Sequence, residues 1–299
     1  MQSNKEKIGF IVNPVSGTKS KEALPSLINK HIDKSRFIPE ILFTEKPGHA
    51  IEIARNFSMQ GYSRVVAVGG DGTVNEVAQG IVHTSTSLGI VPVGSGNGLA
   101  RHLNIPLNPK KAIENLNTAE VFEIDYGKAN DKFFFCTCGT GFDAHISQQF
   151  ALADGRGVKT YLKKVVSEFF SYKPQRYHLQ NGNIDIEQDA FLITFANASQ
   201  YGNNAYIAPH ANLQDGLLDI SILSKFPIFA IPGLTLRLFS KKINKSYYMT
   251  TLRTDKIILS RNTPGPFHFD GEASEASEII ELRIIPAGLK VLVDKSFIG

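Results

Sequence analysis

The chain has 299 residues, 42% of them hydrophobic and 20% charged, with 25 glycines and 14 prolines. It is long enough for one large domain or two ordinary ones, and these proportions exclude a disordered or collagen-like chain. Its 32 basic and 28 acidic residues leave a charge of +4, compatible with an anionic ligand or a membrane surface but without the footprint of a nucleic-acid binder.

The N-terminal segment carries one short apolar stretch ending at Pro14, without the length or cleavage site of a signal peptide. The first third alternates in character. Lys7–Val12, Ile38–Phe43, Arg64–Val68 and Leu88–Val91 read as strands, and Lys21–Ile32, His49–Ser58 and Val74–Val82 as helices. That alternation predicts an α/β domain with a parallel sheet, whose ligands bind beyond the carboxyl ends of the strands. After about Val121, Glu123–Lys128, Lys132–Thr137, Asp189–Ala196, Leu217–Leu223, Asp255–Ser260 and Ile279–Ile285 read as strands of an antiparallel β-sandwich or barrel. Cys136 and Cys138 are too few and too close together to staple a secreted scaffold, and read as reduced thiols of a cytoplasmic protein. Two helical stretches interrupt this part, Val158–Tyr172 and Ile228–Lys242. The run Ile228–Leu238, broken by Pro232 and Arg237, is too short to cross a bilayer. Two domains are expected: 1–122, completed by 287–299, and 123–286.

Three glycine-rich turns each follow a predicted strand: Asn13-Pro14-Val-Ser16-Gly17, Gly69-Gly70-Asp71-Gly72-Thr73-Val-Asn75, and Gly94-Ser95-Gly96-Asn97-Gly98. Glycine lets backbone N–H groups approach an anion closely, and a helix starting beyond the turn adds its dipole. Three such turns at one sheet edge predict a polyphosphate site. The P-loop pattern is absent, and so is the dinucleotide fingerprint, since Leu99 stands where its third glycine belongs. The eight histidines show no zinc-ligand spacing.

These turns, with Asn75-Glu76 and the late Asp270-Gly-Glu272, resemble in order and wording the diacylglycerol kinase catalytic-domain superfamily, which includes sphingosine and ceramide kinases and compact bacterial lipid kinases. The resemblance implies a two-lobed ATP- and Mg²⁺-dependent enzyme that phosphorylates a lipid hydroxyl. It implies that Asn13, Pro14, Ser16, Gly17 and Thr44 line the nucleotide site, that Gly69, Gly70, Gly72, Thr73, Asn75 and Glu76 cradle the phosphates, and that Ser95, Gly96 and Asn97 complete the wall. Asp71 would meet the phosphates through Mg²⁺. Glu272, beside Asp270, would be the catalytic base, with Asp71 as the competing candidate. It further implies a structural Mg²⁺ on Asp215 and the carbonyls of Asn212 and Leu217. One departure concerns the acceptor: bacterial diacylglycerol kinases usually carry an Asp where Gly98 stands, and glycine there resembles sphingosine- and ceramide-kinase wording.

Residues Asp143 and His145 are candidates to hydrogen-bond a head group. Val158–Tyr172 and Phe226–Lys242 have apolar stripes flanked by lysines, the second expected at a membrane surface. Expected partners are a lipid substrate at a membrane, contacted peripherally, and no nucleic acid; a homodimer is left open. The acceptor is expected to be diacylglycerol-like; the alternatives are a sphingosine/long-chain-base or ceramide-type kinase, an NAD kinase-like enzyme on a soluble acceptor, and a non-catalytic nucleotide-binding regulator.

Overall fold

A computed structural model describes residues 5–16, 23–151, 168–169 and 171–298. The expectations for Gly17 and for most of Val158–Tyr172 fall outside them. The chain divides into two units, Met1–Asp125 with Pro286–Gly299, and Tyr126–Ile285.

In the first unit, strands β1 (Glu6–Val12), β2 (Phe37–Phe43), β3 (Arg64–Gly69) and β4 (Ser87–Pro92) form a parallel sheet in the order β2-β1-β3-β4. Strands β3 and β4 are apolar along nearly their whole length because helices cover both faces of the sheet. Helices α1 (Leu24–His31), α2 (His49–Met59), α3 (Asp71–Ile81), α4 (Gly98–His102) and α5 (Pro109–Leu116) connect or follow these strands. The last strand of the chain, Ile279–Val293, returns Lys290 and Val291 parallel to Ser87 and Leu88 at the β4 edge. From β1 the chain first builds outward to β2, then crosses to β3 and β4 on the other side. The strand order therefore reverses between β1 and β3, and a crevice at their carboxyl ends is where an open parallel sheet binds ligands.

The second unit is an antiparallel sandwich. Its strands are β5 (Glu120–Ala129, which enters from the first unit), β6 (Lys132–Phe134), β7 (Thr137–Gly141), β8 (Gln175–Asn181), β9 (Ile184–Ala190), β10 (Leu192–Ala196), β11 (Leu218–Leu223), β12 (Met249–Thr254), β13 (Lys256–Arg261), β14 (Gly265–Phe269), β15 (Glu272–Ala276) and the first part of β16 (Ile279–Val293). One sheet runs β12-β11-β10-β7-β14-β15; β9, β8, β13 and β16 pair in the other. Inward residues Ile193, Phe195, Ile220 and Phe267 meet Tyr177, Leu179, Leu259 and Leu282 in one core, as facing sheets require. Helix α6 (Phe142–Ala151) follows β7, and α7 (Ile231–Phe239) covers a smaller core of Phe191, Leu192, Ile207 and Met249; α8 (Lys295–Ile298) ends the chain. Both thiols are buried and free.

Three expectations change. Lys132–Thr137 reads as one strand, but β6 ends at Phe134 and Thr137 opens β7 in the other sheet. Asp189–Ala196 reads as one strand but is two in different sheets: the chain turns at Phe191, whose N–H and C=O bond to Leu223 and Phe142. Helix α3 begins at Asp71, three residues earlier than its apolar periodicity indicates, so it starts inside the glycine turn.

Candidate active site

Because β2, β1, β3 and β4 run parallel, the loops that follow them lie along one edge of the sheet. They are held there by three side chains near the start of α3, Asp71, Thr73 and Glu76, each gripping a different loop. Thr73 Oγ1 accepts a hydrogen bond from Asn13 Nδ2 at 3.1 Å and lies 3.5 Å from Ser16 Oγ, fixing the loop after β1. Glu76 reaches the loop after β2: Oε1 accepts from Gly48 N at 2.8 Å and Oε2 from Ala50 N at 3.1 Å. Asp71 reaches the loop after β4, with Oδ2 accepting from Asn97 N at 2.8 Å and Oδ1 from Gly98 N at 2.6 Å. The turns after β3 and β4 also touch backbone to backbone. A Cβ at Gly94 would lie 2.5 Å from Gly70 Cα and 3.0 Å from Asn97 Oδ1, so only glycine fits there.

This wiring gives the acidic and hydroxyl side chains of that turn a structural part: the Asp71 and Glu76 carboxylates bind backbone amides of neighbouring loops and so position those loops. Thr73, Asn75 and Asn97 are buried, and Asn75 Oδ1 accepts from Gln79 Nε2 at 2.5 Å. Pro14 and Ser95 are exposed, and Ser16, Thr44, Gly70, Gly72 and Gly96 are half-buried at the same edge; Gly69 is buried at the end of β3. The arrangement offers an anion main-chain amides, hydroxyls and the positive end of α3's dipole. Substituting Gly94 with alanine should therefore weaken ATP binding at least about 10-fold while the fold persists, measured by calorimetry. Gly182→Ala, where nothing lies within 4 Å of an added Cβ, is the control expected to leave binding unchanged.

In the second unit, Asp270 and Gly271 form the two-residue turn between β14 and β15, with φ of 49° and 87°. Positive φ at both positions is the hairpin geometry that Asp-Gly favours. Asp270 is 9% exposed. Its Oδ1 accepts from Cys136 N at 2.8 Å and Thr137 N at 3.0 Å, and its Oδ2 from Phe135 N at 2.9 Å. Engaged by three amides, this carboxylate fixes the hairpin turn against residues Phe135 to Thr137. Its neighbour Glu272, the first residue of β15, is exposed.

The other end of this hairpin is held by a residue that no motif signals. The buried Arg261 guanidinium donates to the carbonyls of Gly265, Pro266, Ala276 and Ser277 and to Thr140 Oγ1. Asp143, at the start of α6, accepts from Tyr201 OH at 2.9 Å and lies 3.1 Å from His268 Nε2. Burial, together with the Asp143 carboxylate, holds the Tyr201 hydroxyl well above its ordinary pKa, so it remains a donor. His145 instead pairs with Glu168 at 2.8 Å.

The expected structural cation does not fit. Asp215 Oδ1 caps its own turn through Leu217 N at 3.0 Å, while Oδ2 is held by the Arg253 guanidinium. Arg253 Nε also lies 3.4 Å from Asp219, whose carboxyl burial pushes above the usual range while Arg253 opposes the shift. The guanidinium thus supplies the positive charge assigned to Mg²⁺ at Asn212, Asp215 and Leu217. Removing divalent ions with EDTA should leave the melting temperature unchanged. Arg253→Ala should cost about 1–2 kcal/mol and make the melting temperature respond to added Mg²⁺.

Comparison with known proteins agrees with this fold. Residues 7–129 match the diacylglycerol kinase catalytic domain, and residues 136–293 match the YegS C-terminal NAD kinase beta sandwich-like domain. The chain belongs to the diacylglycerol kinase superfamily, in the form that ends in a YegS-type sandwich. It is 32% identical over 193 residues to a protein of Pseudomonas putida named "Probable lipid kinase YegS-like"; the match spans 63% of this chain and 65% of that protein. It is 29% identical to a diacylglycerol kinase of Staphylococcus saprophyticus over 74% of each chain. The crystal structure of a Bacillus anthracis diacylglycerol kinase superposes with a TM-score of 0.73 at 19% identity, covering 99% of both chains, which establishes the shared fold.

Proposed function

We propose that this protein is an ATP- and Mg²⁺-dependent lipid kinase that transfers the γ-phosphoryl group of ATP to a hydroxyl of a membrane lipid, diacylglycerol-like in class. The observation that carries the reading is the set of strand-end loops tied to the first turns of α3, which present main-chain amides at the switch point of a parallel sheet. Relatives named as lipid and diacylglycerol kinases, matching much of the chain, support the acceptor class.

Phosphoryl transfer to an alcohol needs positioning, charge neutralisation and a proton acceptor. The amides and the α3 dipole meet the first two needs, and Mg²⁺ bound with ATP would add to the charge neutralisation. Glu272 is the proposed acceptor of the alcohol proton. Asp71, the competing candidate, is engaged by the amides of Asn97 and Gly98, which favours Glu272. Asp270 and Arg261 act through the hairpin that carries Glu272.

A second reading, a long-chain-base or ceramide-type kinase, is favoured by one residue. Gly98 replaces the aspartate usual in bacterial diacylglycerol kinases, and its N–H serves Asp71. Labelled ATP with diacylglycerol, sphingosine, ceramide and phosphatidylglycerol in mixed micelles, and NAD as the soluble control, separates the readings. Label in diacylglycerol is the expected result; label in NAD alone would refute a lipid acceptor.

A further inference from the structure

We propose that the outer face of the segment from Lys225 to Tyr247 is the surface through which this protein docks on an anionic lipid bilayer. The inference deepens the lipid-kinase reading and rests on it for the choice of a membrane as partner. Its first observation is a helix that is apolar on two opposite sides. Ala230, Leu234 and Leu238 face inward and pack into the core of Phe191, Leu192, Ile207 and Met249. Phe229, Pro232, Leu236 and Phe239 recur at three- and four-residue intervals on the other side, and all are exposed. Phe229 is 79% exposed, Leu236 71%, and nearby Tyr247 95%. A surface helix normally presents polar residues there, so a continuous apolar stripe marks a contact with a second apolar phase.

The second observation is charge. Residues 220–254 contain no aspartate or glutamate, whereas outside them acidic residues outnumber basic ones. Lys225, Arg237, Lys241, Lys242 and Lys245 are exposed, and none forms an ion pair with a described residue. Lys241 Nζ lies 4.5 Å from the centre of the Tyr206 ring, at the edge of the stripe. An anionic bilayer meets both features at once, with acyl chains for the stripe and head-group phosphates for the flanking cations. A second copy of the chain fits worse, because a two-fold interface on this face would set both groups of five cations against each other.

Sedimentation with sucrose-loaded vesicles of phosphatidylglycerol and phosphatidylcholine in equal parts tests the proposal. Lys241→Glu with Lys242→Glu should weaken partitioning about 30-fold or more, since each basic group near the surface contributes about 5-fold. Phe229→Ser with Leu236→Ser should weaken it about 10-fold or more. Wild-type protein should bind vesicles of phosphatidylcholine alone far more weakly. Unchanged partitioning of either double variant overturns the proposal, and so does a loss of self-association, seen by sedimentation velocity, with vesicle binding retained. The substituted side chains are exposed, so an unchanged melting temperature is expected; if the serine variant fails to fold, the charge variant carries the test. Turnover on a dissolved short-chain diacylglycerol separates the two claims. Variants that fail only on vesicles support docking, whereas no turnover in wild type, with vesicle binding intact, counts against the kinase reading alone.

Discussion

Replacing Asp270 with alanine should lower the melting temperature by about 10 °C. The side chain is buried and accepts the N–H groups of Phe135, Cys136 and Thr137. Its removal leaves those three amides without their acceptor, and each unsatisfied donor costs about 1–3 kcal/mol. The total, about 3 kcal/mol at the low end, corresponds to that shift for a unit the length of Tyr126–Ile285 melting on its own. Asp270→Asn should cost less. Its one oxygen can still serve Cys136 and Thr137, but its amide group turns a donor towards Phe135 N. Calorimetric melting checks the order alanine below asparagine below wild type. If Asp270 were instead a dispensable catalytic acid, both variants would melt with the wild type and lose turnover alone.

Glu272→Gln should do the opposite: melt within about 0.5 kcal/mol of wild type and lose turnover. Glu272 is exposed at the start of β15, where substitutions rarely disturb stability. The amide keeps the shape of the side chain but cannot take the alcohol proton, so kcat should fall about 10²–10⁴-fold. The KM for ATP should not change, because the proposed nucleotide contacts are amides and hydroxyls of the loops around α3, and Glu272 is not among them. Retained turnover would return the proton-acceptor role to Asp71 or to water. Together the two substitutions separate adjacent acids that one short motif presents as a pair.

That separation shows what the sequence could and could not make legible. The parallel sheet was readable because β3 and β4, buried on both faces, are near-continuous apolar runs. The glycine turns were readable because close backbone approach leaves no other residue type, as at Gly94 against Gly70. Roles within the motifs were not. Asp71, Glu76 and Asp270 read as chemistry because they are acidic, but each spends its oxygens on amides of loops distant in sequence. Such pairings leave no local pattern. Arg253 was invisible for the same reason: it lies 38 residues from the aspartate it neutralises. The break between β9 and β10 was hidden because Asp189–Ala196 holds no glycine or proline to mark the turn at Phe191.

If the three glycine-rich loops wired to α3 form one triphosphate site, backbone hydrogen exchange with and without ATP and Mg²⁺ will report all three at once. ATP should slow exchange together at residues 13–16, 70–75 and 94–98, and this joint protection should vanish in Gly94→Ala. Protection confined to one of these loops, or appearing only elsewhere in the chain, would show that they do not form a single triphosphate site.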